Sequence, residues 1–349
     1  MRDVARVRFA VVILTASLHV HCERRAAPNR STVRAPTSAS ASAAPIAATP
    51  KGPLAHPTAA RAYVSRDRGR SWLAADNGLP RSSTVNDLAL AHEAVLASTE
   101  KDGVYVTRDL GSTWSLLAAT PDSGGALTSL VAATSVLVAG SRQNGVFASA
   151  DIGKTWVASN SGLENREIHR LAVDGQRIFA ATNGGVFVTE NAAVSWQHLT
   201  GSGQTNAVVV VKGVLYVADI QGVLRSPDDG RSWERVYDGA TPHNLGSNGR
   251  AVFAMLYHRG VIRSLDGGST WSKAQQGLPD DLAQYTFQII AADGALFGAQ
   301  WHGIYVSESG GDTWRSSGSG LASNQAITDI VRVAPNVLLA AAVGSVMKP

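Results

Sequence analysis

From about residue 61 onward the chain alternates short apolar stretches with polar ones, in runs too short for helices and rich in Val, Leu, Ile, Phe and Tyr. TVNDLAL (84–90), AVLAST (94–99) and GVYVT (103–107) follow one another, separated by residues that favour turns. Each predicts a strand. The last two runs return in VLVAGSRQNGVFAS (136–149), IFAATNGGVFVT (178–189), LYVADIQGVLRS (215–226), VFAMLYHRGVIRS (252–264) and LFGAQWHGIYVS (296–307). A further short run, such as WSLLAA, follows, so one repeat predicts a four-stranded sheet and the class is all-β.

One octapeptide punctuates every repeat: SRDRGRSW (65–72), TRDLGSTW (107–114), SADIGKTW (149–156), TENAAVSW (189–196), SPDDGRSW (226–233), SLDGGSTW (264–271) and SESGGDTW (307–314). By subtraction, successive closing tryptophans stand 37 to 43 residues apart. The residue types suit a tight turn. The Ser/Thr hydroxyl and the carboxylates of Asp67, Asp109, Asp151, Asp228 and Asp266 can accept hydrogen bonds from nearby backbone N–H groups. Glycine supplies a positive φ, and tryptophan offers a large apolar face to a neighbouring sheet. The fourth copy, with Asn191 and Ala193, and the seventh, with Ser309, are expected to turn more loosely.

The ends of the chain set the count. One strand, 61–65, precedes the first octapeptide, and two, 326–333 and 337–343, follow the last. Two half-repeats complete one sheet if the sheets form a ring, which leaves no open edge within it. The theme S/T-x-D-x-G-x-S/T-W resembles the Asp-box, or bacterial neuraminidase repeat, of sialidase-like propellers. The resemblance implies a seven-bladed β-propeller over 61–349, one blade split between the termini, with each octapeptide joining third and fourth strands.

The formal charge of +4 changes little. Residues 1–60 hold eight Lys/Arg against two acids, leaving 23 basic and 25 acidic residues in the rest, so the folded part gives no reason to expect nucleic acid. Arg2, Arg6 and Arg8 precede a mostly apolar run, 9–20, in the layout of an export signal over 1–21. Residues 22–60 are dominated by Ala, Pro, Ser and Thr, a composition that predicts a disordered tether. Cys22, the only cysteine, has no internal disulfide partner. Its position resembles that of the lipid-modified cysteine of bacterial lipoproteins, with a plain cleaved signal as the alternative. The expectation is a periplasmic, outer-membrane-anchored or secreted monomer, touching a membrane only through such an anchor.

Catalytic chemistry has a narrow basis. Asp87, His169, Gln288 and Asp329 fall on first strands facing a central channel, and Asp87 and Asp329 lie in adjacent blades where two carboxylates could meet. Sialidases, by family, have six blades and an Arg-Ile-Pro motif, which this chain lacks. Xyloglucanases place paired aspartates between two tandem propellers, and here there is one. His243, His258 and His302 lack the close spacing of a metal site, and no phosphate loop suggests a cofactor. Binding has a broader basis. The turns between second and third strands vary from repeat to repeat, presenting Arg142, then Tyr257, His258 and Arg259, then Trp301 and His302. Rigid aromatic and arginine side chains on a fixed scaffold suit recognition. The chain also resembles photosystem II assembly factors and sortilin-type propellers, which implies holding another polypeptide. The expectation is a non-enzymatic propeller binding a protein, peptide or glycan, with a glycoside hydrolase as the alternative.

Overall fold

The computed structural model describes residues 60–343 apart from 82, 120, 123–125, 202, 258, 280–285 and 324. The expected export signal, Cys22 and all but the last residue of the expected tether lie outside the described residues. The strands form seven four-stranded antiparallel sheets. We number these blades 1 (85–118), 2 (127–158), 3 (168–200), 4 (205–238), 5 (242–273), 6 (286–316) and 7, which joins 327–342 to 62–74. Blade 7 runs Leu73–Ala74, Ala62–Ser65, Val337–Ala342, Ile327–Ala334, with Tyr63 opposite Ala340 where the two ends of the chain pair. The first strands of successive blades touch in cyclic order, and Ile327–Ala334 returns to Val85–Ala91. The fold is a closed seven-bladed propeller.

Both faces of each inner sheet are covered, which is why second strands such as Ala94–Thr99 are buried throughout instead of alternating with solvent. Alternate residues face opposite neighbours. Tyr63, Leu338 and Ala340 pack against Phe297 and Ile304 of blade 6, whereas Ala62, Val64, Leu339 and Ala341 pack against Val85 and Leu88 of blade 1. An apolar layer of this kind lies between every pair of adjacent blades. The exposed fourth strands are only two residues long in blades 2, 5, 6 and 7, which blunts the outer edges.

The octapeptides join third and fourth strands and share one hydrogen-bond frame. In the second copy the Thr107 hydroxyl donates to Asp109 Oδ1 (2.8 Å) and accepts from the Gly111 amide (2.9 Å). Asp109 also accepts from the Thr113 amide (2.9 Å) and hydroxyl (2.6 Å). The two departing copies keep this frame. Asn191 Oδ1 takes both acceptor roles (2.8 and 3.0 Å) while its amide group donates to Ser195, and Ser309 reaches the Thr313 amide at 2.9 Å. The expected looseness is absent because Asn and Ser still offer an oxygen at the turn centre.

The structure adds a second left-handed residue before the glycine. Leu110 (φ 58) precedes Gly111 (φ 83), and in the fourth copy Ala192 and Ala193 are both left-handed (φ 56 and 65). The turn glycine also lies hard against the preceding blade: a Cβ on Gly111 would meet Leu339 Cδ2 at 2.9 Å. At Ala193 a methyl fits within the buried layer that holds Val136, Val138 and Trp196. The tryptophans knit the same seams. Trp72, Trp114, Trp196 and Trp314 donate their indole N–H to Ser317, Ala75, Ser159 and Ala274 carbonyls of the preceding blade (2.7–2.9 Å).

The channel mouth as candidate functional site

Every first strand enters the channel through a register shift at its second residue. Such bulges twist a strand and re-aim its side chains, and they recur beside functional sites. Here seven of them stand in a ring, on the end of the channel where the variable turns lie. The residue pairs that follow the first position are Asn86-Asp87, Thr128-Ser129, His169-Arg170, Asn206-Ala207, His243-Asn244, Phe287-Gln288 and Thr328-Asp329.

The ring is tied in two tiers. In the upper tier the bulged side chain donates to the first carbonyl of the next first strand: Asn86 to Leu127 (2.8 Å), Thr128 to Ile168 (2.8 Å), Asn206 to Pro242 (2.8 Å), His243 to Thr286 (2.7 Å) and Thr328 to Val85 (2.9 Å). In the lower tier the following side chain accepts an amide of the next blade: Asp87 from Leu130 (2.7 Å), Ser129 from Leu171 (3.2 Å), Gln288 from Ile330 (2.8 Å) and Asp329 from Leu88 (2.8 Å). Blade-to-blade polar ties thus close the channel wall.

The two carboxylates singled out from sequence do meet, but in this lower tier. Asp329 is only 3% exposed and Asp87 7%, and each is tied to a backbone amide of the next blade. Burial first, and the neighbouring Asp87 second, push the Asp329 carboxyl well above the usual carboxylate range, against the pull of Arg170 and the Leu88 amide. Asp329 Oδ1 has no hydrogen-bond partner among the described residues.

Above the lower tier opens a cavity of about 530 Å³ lined by Asn86, Thr128, Arg142, His169, Arg170 and His243, together with the aromatic rings of Tyr257 and Phe287. His243 donates through Nε2 to the Thr286 carbonyl, and burial lowers its pKa, so the ring is neutral and presents Nδ1 as an acceptor. That Nδ1 has no partner among the described residues. The cavity is basic on one side and aromatic on the other. Arg142, His169 and Arg170 come from blades 2 and 3, whereas Tyr257 packs at a tilt against His243 (4.9 Å between centroids, 51°) and Trp301 against Phe287 (5.7 Å, 30°) in blades 5 and 6.

The residues expected to bind are therefore only partly gathered. Arg142 and Tyr257 line the cavity, Trp301 stands half-buried beside it on Phe287, and His302 is its half-buried neighbour. Arg259 is exposed and does not line the cavity, and His258 lies outside the described residues. Arg170, His243 and Phe287 were missed by the search for variable turns, since they sit inside first strands. Their signal was available: aligned by repeat, the second and third positions of those strands carry polar or bulky side chains where an apolar alternation would otherwise run. In the connections that lead into blades 3 and 6, Leu163 and Leu278 are buried between blades.

No protein family matches the chain by sequence, and no curated protein does. Solved structures do resemble it. YCF48 bound to D1 peptide superposes with a TM-score of 0.59 at 15% identity, covering 78% of this chain and 96% of that one. The extracellular domain of the one component system BT4673 from B. thetaiotaomicron gives 0.59 at 12% identity, covering 73% of this chain and 36% of that one. The GH74 xyloglucanase from Xanthomonas campestris gives 0.55 at 18% identity, covering 76% of this chain and 52% of that one. This chain thus spans about a third of the second and half of the third. What these likenesses establish is the fold: the chain is a seven-bladed β-propeller similar to YCF48 and to parts of the BT4673 extracellular domain and of a GH74 xyloglucanase.

Proposed function

We propose that this protein is an exported Asp-box propeller that captures a segment of another polypeptide across its channel mouth. The observation that carries the reading is the cavity itself, a preformed concave site with aromatic rings on one side and basic groups on the other. Sites of this shape bury a ligand without reorganising the scaffold, and aromatic anchors give contact area at low entropy cost. A peptide on the propeller of YCF48 supports the choice of ligand over a glycan. The glycosidase reading has less support, because Asp87 and Asp329 are spent on backbone amides and buried beneath the cavity instead of flanking a space for a sugar. In this proposal residues 22–60 are the tether and Cys22 its lipid anchor. Detergent partitioning lost in Cys22→Ala supports the anchor, and a fully soluble wild type removes it.

The test of the binding reading is a pull-down from extracts of the native host. Tyr257→Ala/Trp301→Ala should weaken partner recovery by several-fold with the melting temperature unchanged, while Val194→Ser on an octapeptide turn should not. Equal recovery by all three proteins overturns the assignment of the mouth.

A further inference from the structure

We propose that the channel mouth captures a carboxylate group on Arg170 and Arg142, and that the buried acids Asp87 and Asp329 beneath them set the strength of that capture. The inference rests on the polypeptide reading above for its kind of ligand, and adds to it a ligand chemistry and a pH dependence.

The two arginines are set apart by their place, since others without an ion pair, such as Arg66, Arg108 and Arg250, are exposed and do not line this cavity. Arg177, Arg225, Arg235, Arg263, Arg315 and Arg332 are each in an ion pair with an Asp or Glu. Arg170 is half-buried in the channel and Arg142 stands at its rim, both line the cavity, and among the described residues neither guanidinium has an acidic side chain or carbonyl as a hydrogen-bond partner. A guanidinium forks naturally onto a carboxylate. The neutral His243 and the amides of Asn86 and Asn244 complete a polar floor, and the aromatic side receives an apolar neighbour of the captured group.

Beneath this floor the charge is adjustable. Arg170 lines the cavity and acts through space on both Asp329 and His243. The groups facing Asp329 are few. The first strands contribute Asp87, His169, Arg170 and His243, whereas Thr286–Ala292, Ala295–Gln300, Val337–Ala342 and Ala94–Thr99 contribute no titratable side chain. While Asp329 keeps its proton it places no charge beneath Arg170, and at the rim Arg142 shares a smaller pocket with Glu167. Loss of that proton adds a negative charge below Arg170. The new carboxylate competes for the guanidinium and repels the ligand. Capture should therefore weaken as pH rises through the range in which Asp329 ionises, above the ordinary carboxylate value of about 4. By linkage, a bound carboxylate should in turn raise the affinity of Asp329 for its proton.

The experiment is calorimetric titration of the full chain with three peptides from about pH 5 to about pH 9. They are acetyl-Ala-Ala-Ala-Phe with a free C-terminus, the same peptide as its amide, and acetyl-Ala-Glu-Ala-Phe amide. One or both carboxylate-bearing peptides should bind about tenfold more tightly than the neutral amide at the acid end, the pattern telling a terminal from a side-chain carboxylate. The preference should shrink about tenfold toward the alkaline end. Arg170→Gln should abolish it at every pH. Asp329→Asn keeps an oxygen for the Leu88 amide and should hold the preference nearly constant with pH; Asp87→Asn, which removes the charge next to that proton, serves if the first variant does not fold. Equal binding of all three peptides, or of none, overturns the carboxylate site, and the pull-down above still decides the polypeptide reading. A pH dependence unchanged in Asp329→Asn overturns the role of the acid pair.

Discussion

Gly111→Ala probes the seam between blades at one atom. Two costs combine in the folded state. Gly111 has φ +83, where an L side chain is disfavoured by about 1–2 kcal/mol. Its new methyl would also lie 2.9 Å from Leu339 Cδ2 and 3.2 Å from Ala75 Cβ, both in the neighbouring blade, so a packed layer must yield, at about 1–3 kcal/mol. Alanine recovers about 0.4–1 kcal/mol by restricting the unfolded chain. The net expectation is a loss of about 1–4 kcal/mol. The reverse change provides the control. Ala193→Gly relieves a left-handed alanine but removes a fully buried methyl, worth about 0.8 kcal/mol, so the two effects nearly cancel. Urea unfolding at unchanged slope measures both. A Gly111→Ala protein within about 0.5 kcal/mol of wild type would refute the claim that this glycine is required by both conformation and contact.

Three further perturbations test other parts of the structure. The Asp329 carboxyl is raised in the folded state, so the folded chain keeps a proton that the unfolded chain releases; its contribution makes stability fall as pH rises above about 4. Asp329→Asn should remove that decline and raise the melting temperature at neutral pH, and a decline as steep as in wild type contradicts it. The turn aspartates behave oppositely: hydrogen bonds, led by those from Thr113, Thr155, Ser232 and Thr270, lower Asp109, Asp151, Asp228 and Asp266 to about 2. Stability they contribute is present above about pH 4 and lost as pH falls toward 2, and Asp109→Asn, which keeps an acceptor as Asn191 does, should flatten part of that loss in an acid melting series. Deleting residues 326–349 should expose the edge of Ala62–Ser65 and open the ring, giving aggregation by light scattering, whereas a truncated monomer that melts like the full chain contradicts closure.

The fold was largely legible because its signals repeat. A tryptophan that recurs every 37–43 residues by subtraction fixes the blade, and the half-repeats before Ser65 and after Trp314 fix the closure. The candidate site was legible where it uses turns, at Arg142, Tyr257 and Trp301, and on the first strands at His169. Arg170, His243 and Phe287 escaped because a bulge shifts the register at the second residue of each first strand, so strict alternation assigns those side chains to the wrong face. Asp87 and Asp329 were brought together correctly by adjacency of their blades. Their backbone partners, Leu130 and Leu88, could not be read from sequence, since they depend on the stagger between neighbouring first strands.

The central claim is that polypeptide capture occurs at the channel mouth, and site-specific photo-crosslinking tests it most directly. A photoreactive phenylalanine analogue replaces Tyr257, 51% exposed at the mouth, or Val194, 69% exposed on an octapeptide turn, and each protein is irradiated in the native extract. The account predicts one discrete adduct from position 257 that Trp301→Ala diminishes, and none of that mass from position 194. The same adduct from 194 and none from 257 would move the partner to the opposite face and contradict the account.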